Sequence, residues 1–147
     1  FWVQIKVSNA AYSFYDNAPS AAWITCGSPC GGGTVITFGG PDTDEDGFAM
    51  YRDGKQLENG NTPQHVLETH PMWVPDGVIS GEFSNYTVQS GDHFKARLGF
   101  LAKNDGTCGA GDVTFQVNYK EGGDIHPLQA FHETCDGSLS EVATSST

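Results

Sequence analysis

Basic residues are scarce in this chain. Seven Lys and Arg stand against 18 Asp and Glu in 147 residues, a formal net charge of -11. Such a surface repels phosphate backbones and anionic lipid, so nucleic acid is excluded as a partner. No apolar run reaches membrane-spanning length, and no membrane insertion is expected. Sustained helical periodicity is missing, which argues against a helical fold. No Cys-x-x-Cys occurs, so a zinc ribbon is not indicated. There is no Gly-x-Ser-x-Gly elbow, no phosphate-binding glycine loop and no His-x-x-x-His pair, and the chain is read as non-catalytic. It begins at Phe1 and holds no signal peptide, as expected of a chain whose leader was removed or of a piece of a longer one.

What is present favours strands and turns. Val, Thr, Phe, Tyr and Trp are frequent, with 19 Gly and 7 Pro. In residues 93–101, Phe94, Ala96, Leu98 and Phe100 share one face, with His93, Lys95 and Arg97 opposite. In residues 112–119, Val113, Phe115, Val117 and Tyr119 alternate with Thr114, Gln116 and Asn118. These read as two half-buried strands of one antiparallel sheet. Shorter strands are expected at 1–7, 20–25, 34–38, 47–52, 64–69, 77–83, 86–89 and 131–134. Turn signals between them recur about every 8–12 residues, the spacing of an all-β sandwich. The expected fold is one antiparallel β-sandwich of jelly-roll type over residues 1–140. A polar tail at 141–147 is expected to be loosely held, as is the whole stretch from Ser138.

Four cysteines, Cys26, Cys30, Cys108 and Cys135, make an even count in an acidic, β-rich chain, which points to two disulfides. Three pairings exist. Cys26–Cys30 with Cys108–Cys135 is favoured, though the sequence does not decide it. Asn85-Tyr86-Thr87 is a glycosylation sequon. Together these features suit a secreted protein.

The most specific motif is Pro41-Asp42-Thr43-Asp44-Glu45-Asp46-Gly47. Calcium needs several oxygens converging on one point, and alternate carboxylates before a glycine can supply them. The candidate ligands are Asp42, Asp44, Asp46, the Phe48 carbonyl and Asp53, the twelfth position of the pattern. The segments on either side read as strands, so the expectation is a calcium staple between strands and not a sensor hand. The plainer alternative is a solvated acidic turn. Asp53 falls at the far end of a strand, which puts its place in the set in doubt.

A second candidate site is the Trp73 loop. Pro71 and Pro75 hold it extended, and Trp73 beside His70 and Asp76 could stack on a sugar ring. The alternative is a Trp that plugs one end of the core. Glu68-Thr69-His70 and His132-Glu133 put carboxylates beside imidazoles, the raw material for a metal-dependent hydrolase. Scattered polar residues at strand ends are the simpler reading.

The blocks Gly47-Phe48-Ala49-Met50-Tyr51-Arg52, Val66-Leu67-Glu68-Thr69-His70-Pro71-Met72-Trp73, Gly91-Asp92-His93-Phe94-Lys95-Ala96 and Gly111-Asp112-Val113-Thr114-Phe115 resemble a group of uncharacterised secreted bacterial domains of cell-surface or exported proteins. The resemblance spans about Trp23 to Leu139. The paired strand patterns are also loosely similar to jelly-roll carbohydrate-binding modules. In the resembled group, further strands follow the segment 131–139. Here only 141–147 follows, which leaves an open sheet edge. A neighbouring copy could fill that edge, with Phe1–Val7 as donor, and build a homo-oligomer or polymer. The expected function is a structural or adhesive extracellular subunit. A carbohydrate-binding module contacting surface glycan is the alternative.

Overall fold

The computed structural model describes residues 11–144. The expected strand at Phe1–Val7 lies outside them. The chain is mostly β and its strand pairs are antiparallel. Among the described residues, a short helix α1 (Phe14–Asn17) and a 3-10 turn (Ala18–Ser20) precede nine strands. Ser13 caps α1 by accepting the Asp16 N–H on its hydroxyl at 3.1 Å.

Strand β1 (Ala22–Cys26) sits between β2 (Thr34–Ile36) and β5 (Val78–Glu82). Strand β3 (Phe48–Tyr51) pairs with β4 (Leu67–His70), opposing Phe48 to His70 and Tyr51 to Leu67. Trp23 and Thr25 of β1 point inward while Ala22 and Ile24 point out, the period-two pattern of a half-buried strand. Trp23, Ala18, Ala49 and Leu67 form the core, with Ile36, Tyr51, Ile79 and Phe83 packed round it. The buried Trp23 indole N–H donates to the Ala18 carbonyl at 2.9 Å.

Three expectations are corrected in the C-terminal half. Strands β6 (Lys95–Leu98) and β7 (Asp112–Glu121) do not lie in one sheet. Instead β7 pairs with β8 (Asp124–Thr134), and β6 pairs with β9 (Ser140–Ala143). The cause is local: Gly122 and Gly123, both at positive φ, make a two-residue turn that folds β8 straight back onto β7. Second, the described part of the tail, Ser138 to Thr144, is held in place, while 145–147 lie outside the described residues. Ala96 opposes Val142, and buried Thr144 accepts the Phe94 N–H on its hydroxyl at 2.9 Å. Third, residues 86–89 are not a strand. They are irregular and run into a turn at 90–91, where the Asp92 carboxylate accepts the Tyr86 hydroxyl at 2.6 Å and the Gln89 N–H at 2.8 Å.

Both disulfides join the favoured pairs, Cys26–Cys30 and Cys108–Cys135. Among the described residues, no helix is long and apolar enough to cross a membrane.

Candidate functional site

The acidic turn connects β2 to β3 and closes on itself. Gly39 N–H donates to the Ala49 carbonyl at 2.8 Å, and Gly47 N–H to the Asp44 carbonyl at 3.1 Å. The Asp44 carboxylate accepts the Asp46 N–H at 3.0 Å, an Asx turn. Gly47 has φ 98, and a Cβ there would lie 2.7 Å from the His70 carbonyl oxygen. The glycine therefore serves both the bend and the approach of two backbones.

The five candidate calcium donors are not held alike. Asp42 is bridged to Arg52 at 2.8 Å, and Arg52 also reaches buried Glu68 at 2.5 Å. Asp53 accepts the Val66 N–H at 2.9 Å on one oxygen and the Tyr15 hydroxyl on the other. Burial and the neighbouring Asp53 carboxylate both push the Tyr15 phenol up. Asp53 thus fastens α1 to the β3–β4 loop. Phe48 is buried, its ring stacked on His70 at 5.1 Å. Asp44 and Asp46 line a groove of about 320 Å³ together with Thr34, Ile36 and Thr37 along β2.

The same turn abuts the Trp73 loop. Trp73 N–H donates to the Glu45 carbonyl at 2.9 Å. Phe48, His70 and Trp73 form a chain of rings, with His70 5.5 Å from the indole and 5.1 Å from Phe48. Burial lowers the His70 pKa, opposed by the Nδ1–H bond to the Pro71 carbonyl at 2.8 Å. Trp73 is 49% exposed, so it does not plug the core. Asp76 is exposed and is the one non-glycine residue with positive φ among the described residues. The two candidate sites of the sequence reading therefore lie on neighbouring loops.

Other candidates lie elsewhere. Exposed Asn85 donates from its amide to the Asn17 side chain at 2.8 Å and accepts the Tyr12 hydroxyl. His132 pairs with Asp112 at 2.7 Å on the exposed side of the β7–β8 hairpin. Among the described residues, one group of three His, Cys, Asp or Glu side chains brings its ligand atoms within 4.8 Å: Glu58, Cys108 and Cys135. Its two sulfurs are bonded to each other.

Sequence reasoning passed over Glu58. The residue is 8% exposed, and its carboxylate accepts three backbone N–H groups, from Phe100 at 2.9 Å and from Asp136 and Gly137 at 3.0 Å each. The Cys108 sulfur also lies 3.6 Å away; in a disulfide it carries no proton, so this is a contact and not a hydrogen bond. Glu58 offered no signal, because its partners lie 42 to 79 residues along the chain.

No protein family, curated protein or solved structure matches the chain. The functional reading therefore rests on this geometry.

Proposed function

We propose that the domain is a non-catalytic structural or adhesive subunit of an extracellular assembly, its sheets packed as a jelly-roll-like sandwich and its copies joined by strand addition. One observation carries this reading. Strands β7 and β8 form a ribbon of ten residue pairs that joins no other strand among the described residues. One face of β7, with Val113, Phe115, Val117 and Tyr119, is half-buried. A two-stranded hairpin is marginal alone, and a third strand would satisfy its edge and stabilise it. Strand β9 follows the segment 131–139, so the final strand is not missing. Two disulfides suit an oxidising compartment.

The donor in this reading is Phe1–Val7 of a neighbouring copy. Light scattering on the full chain should give a multimer, and deleting Phe1–Val7 should give soluble monomers. A monomeric full chain, or unchanged assembly after the deletion, would reject it. Calcium enters the same proposal through Asp44 and Asp46. Asp44→Ala should lower the melting temperature further in calcium than in chelator; an equal loss in both would remove calcium.

The half-exposed Trp73 favours a second reading, a carbohydrate-binding module. Its test is a saccharide-dependent quench of tryptophan fluorescence that Trp73→Ala abolishes.

A further inference from the structure

Trp73, Val74 and Val78 are 49%, 43% and 44% exposed, three apolar side chains held out of the core within one short stretch. The backbone under them is tightly wound. Val74 N–H donates to the Met72 carbonyl at 2.8 Å, and Gly77 N–H to the Val74 carbonyl at 3.1 Å. A Cβ at Gly77 would sit 2.1 Å from the Met72 carbonyl oxygen, so no side chain fits there. With the Trp73–Glu45 backbone bond and the His70 ring beneath, the indole is already ordered before any partner arrives.

Acidic residues adjoin this ledge along the backbone: Glu45 through its carbonyl bond to the Trp73 N–H, Asp46 next to it, and Asp76 between Val74 and Val78. Glu45, Asp46 and Asp76 are exposed, and none of them joins an ion pair among the described residues. Asp42, by contrast, is bridged by Arg52. A fixed indole beside unneutralised carboxylates matches a cationic side chain. The ring face attracts the charge, the carboxylates accept its N–H groups, and valine methyls receive the aliphatic stem.

We propose that this ledge docks a basic, extended segment of another protein, seating a Lys or Arg on Trp73 with its charge met by Glu45, Asp46 and Asp76. A second copy of this chain is not the occupant, because it offers no free basic strand: Lys95 and Arg97 are its one pair of basic residues at alternate positions, and both lie in β6, already paired with β9. A neutral saccharide could use the ring but would leave the acidic border without a role. The proposal goes beyond the strand-addition reading, since it uses a different surface and a different partner.

Fluorescence anisotropy with a labelled peptide of alternating Lys and Val tests it, using the full chain. The Lys–Val peptide should bind saturably, and a Gln–Val counterpart at least about tenfold more weakly. Trp73→Ala should weaken binding about tenfold, as for an aromatic anchor. The double variant Glu45→Gln/Asp46→Asn should do the same and flatten the salt dependence. Glu121→Gln/Asp124→Asn at the far hairpin tip should change nothing, and thermal melts confirm that each variant is folded. Four results would overturn the proposal: no saturable binding, a Trp73→Ala variant as tight as the parent, a tip variant as weak as the border variant, or a neutral oligosaccharide bound where the Lys–Val peptide is not. None depends on whether the chain assembles.

Discussion

Replacing Glu58 by alanine should be among the most damaging single changes to this fold. The side chain is buried and gathers three distant stretches: the end of β6, the Cys108 loop and the turn at Asp136-Gly137. Removal leaves three backbone N–H groups without their acceptor. The Phe100 N–H is buried, and an orphaned buried donor costs about 1–3 kcal/mol. The Asp136 and Gly137 donors are only part-buried, so water can reach them and each costs about 1 kcal/mol. The sum is about 3–5 kcal/mol, a large share of a typical stability of about 5–15 kcal/mol. At a urea slope of about 2 kcal/mol/M, the unfolding midpoint should fall by about 2 M with the slope unchanged. Glu58→Gln should lose less, because its amide oxygen can still accept from Asp136 and Gly137 while the NH₂ faces the Phe100 N–H. Gly99→Ala offers an independent approach to the same place. Its Cβ would stand 2.8 Å from a Glu58 carboxylate oxygen and 2.3 Å from a Leu139 methyl. Its cost should fall short of additive with Glu58→Ala, since the two share a site. A midpoint shift under about 0.5 M in Glu58→Ala would refute the reasoning.

Two further perturbations have definite signs. Burial holds the His70 pKa below its ordinary 6.5, so from about pH 6.5 downward the unfolded chain binds a proton that the folded chain refuses. The stability is complete above that pH and is lost as pH falls toward the folded value. Melting temperatures between about pH 7.5 and 5.5 should fall more steeply in the parent than in His70→Phe, and equal slopes would contradict this. Gly81→Ala should destabilise by about 1–3 kcal/mol, because the added Cβ would stand 2.6 Å from the Trp23 ring. Gly54→Ala, with open space at that position but φ 75, separates backbone strain from collision and should cost less in the same melts.

Local pattern made some of this structure legible. The alternation Val113, Phe115, Val117, Tyr119 announced β7, and Gly47 announced the sharp bend that the acidic turn makes. Strand β8 was half hidden because its register shifts opposite Val117 and Asn118, and Leu128 takes no partner. That bulge and Pro127 break the two-residue period. Strand β9 holds one large apolar residue, Val142, too few to show a period. The pairing of β6 was unreadable for a different reason. Strand partners are chosen by closure over tens of residues, and β6 passes over β7 and β8 to reach β9. The site followed the same rule. Acidic turn and Trp loop were each visible as motifs, but their adjacency depends on β3 pairing with β4, which sets Phe48 opposite His70.

Three of the four sheets among the described residues have only two strands, too few to be stable by themselves. A file of aromatic rings supplies much of the packing between them. It runs from Trp23 to Phe83 at 5.9 Å, to Phe14 at 4.7 Å, to Phe94 at 5.1 Å and to Phe115 at 5.9 Å. Through it β1, α1, β7 and the residue before β6 are linked, with Phe14 at the middle still 39% exposed, although these strands are not all hydrogen-bonded neighbours. The first three pairs are edge-to-face and Phe94–Phe115 is stacked, and pairs of either kind contribute about 0.5–1.5 kcal/mol each beyond their buried area. The ring chain Phe48–His70–Trp73 is a separate file that ends in solvent. Removing Phe14 should therefore loosen the junction of the sheets, whereas removing Trp73 should leave the fold intact. A Trp73 variant then reports on binding, and this is why the ledge can be tested separately from the scaffold that carries it.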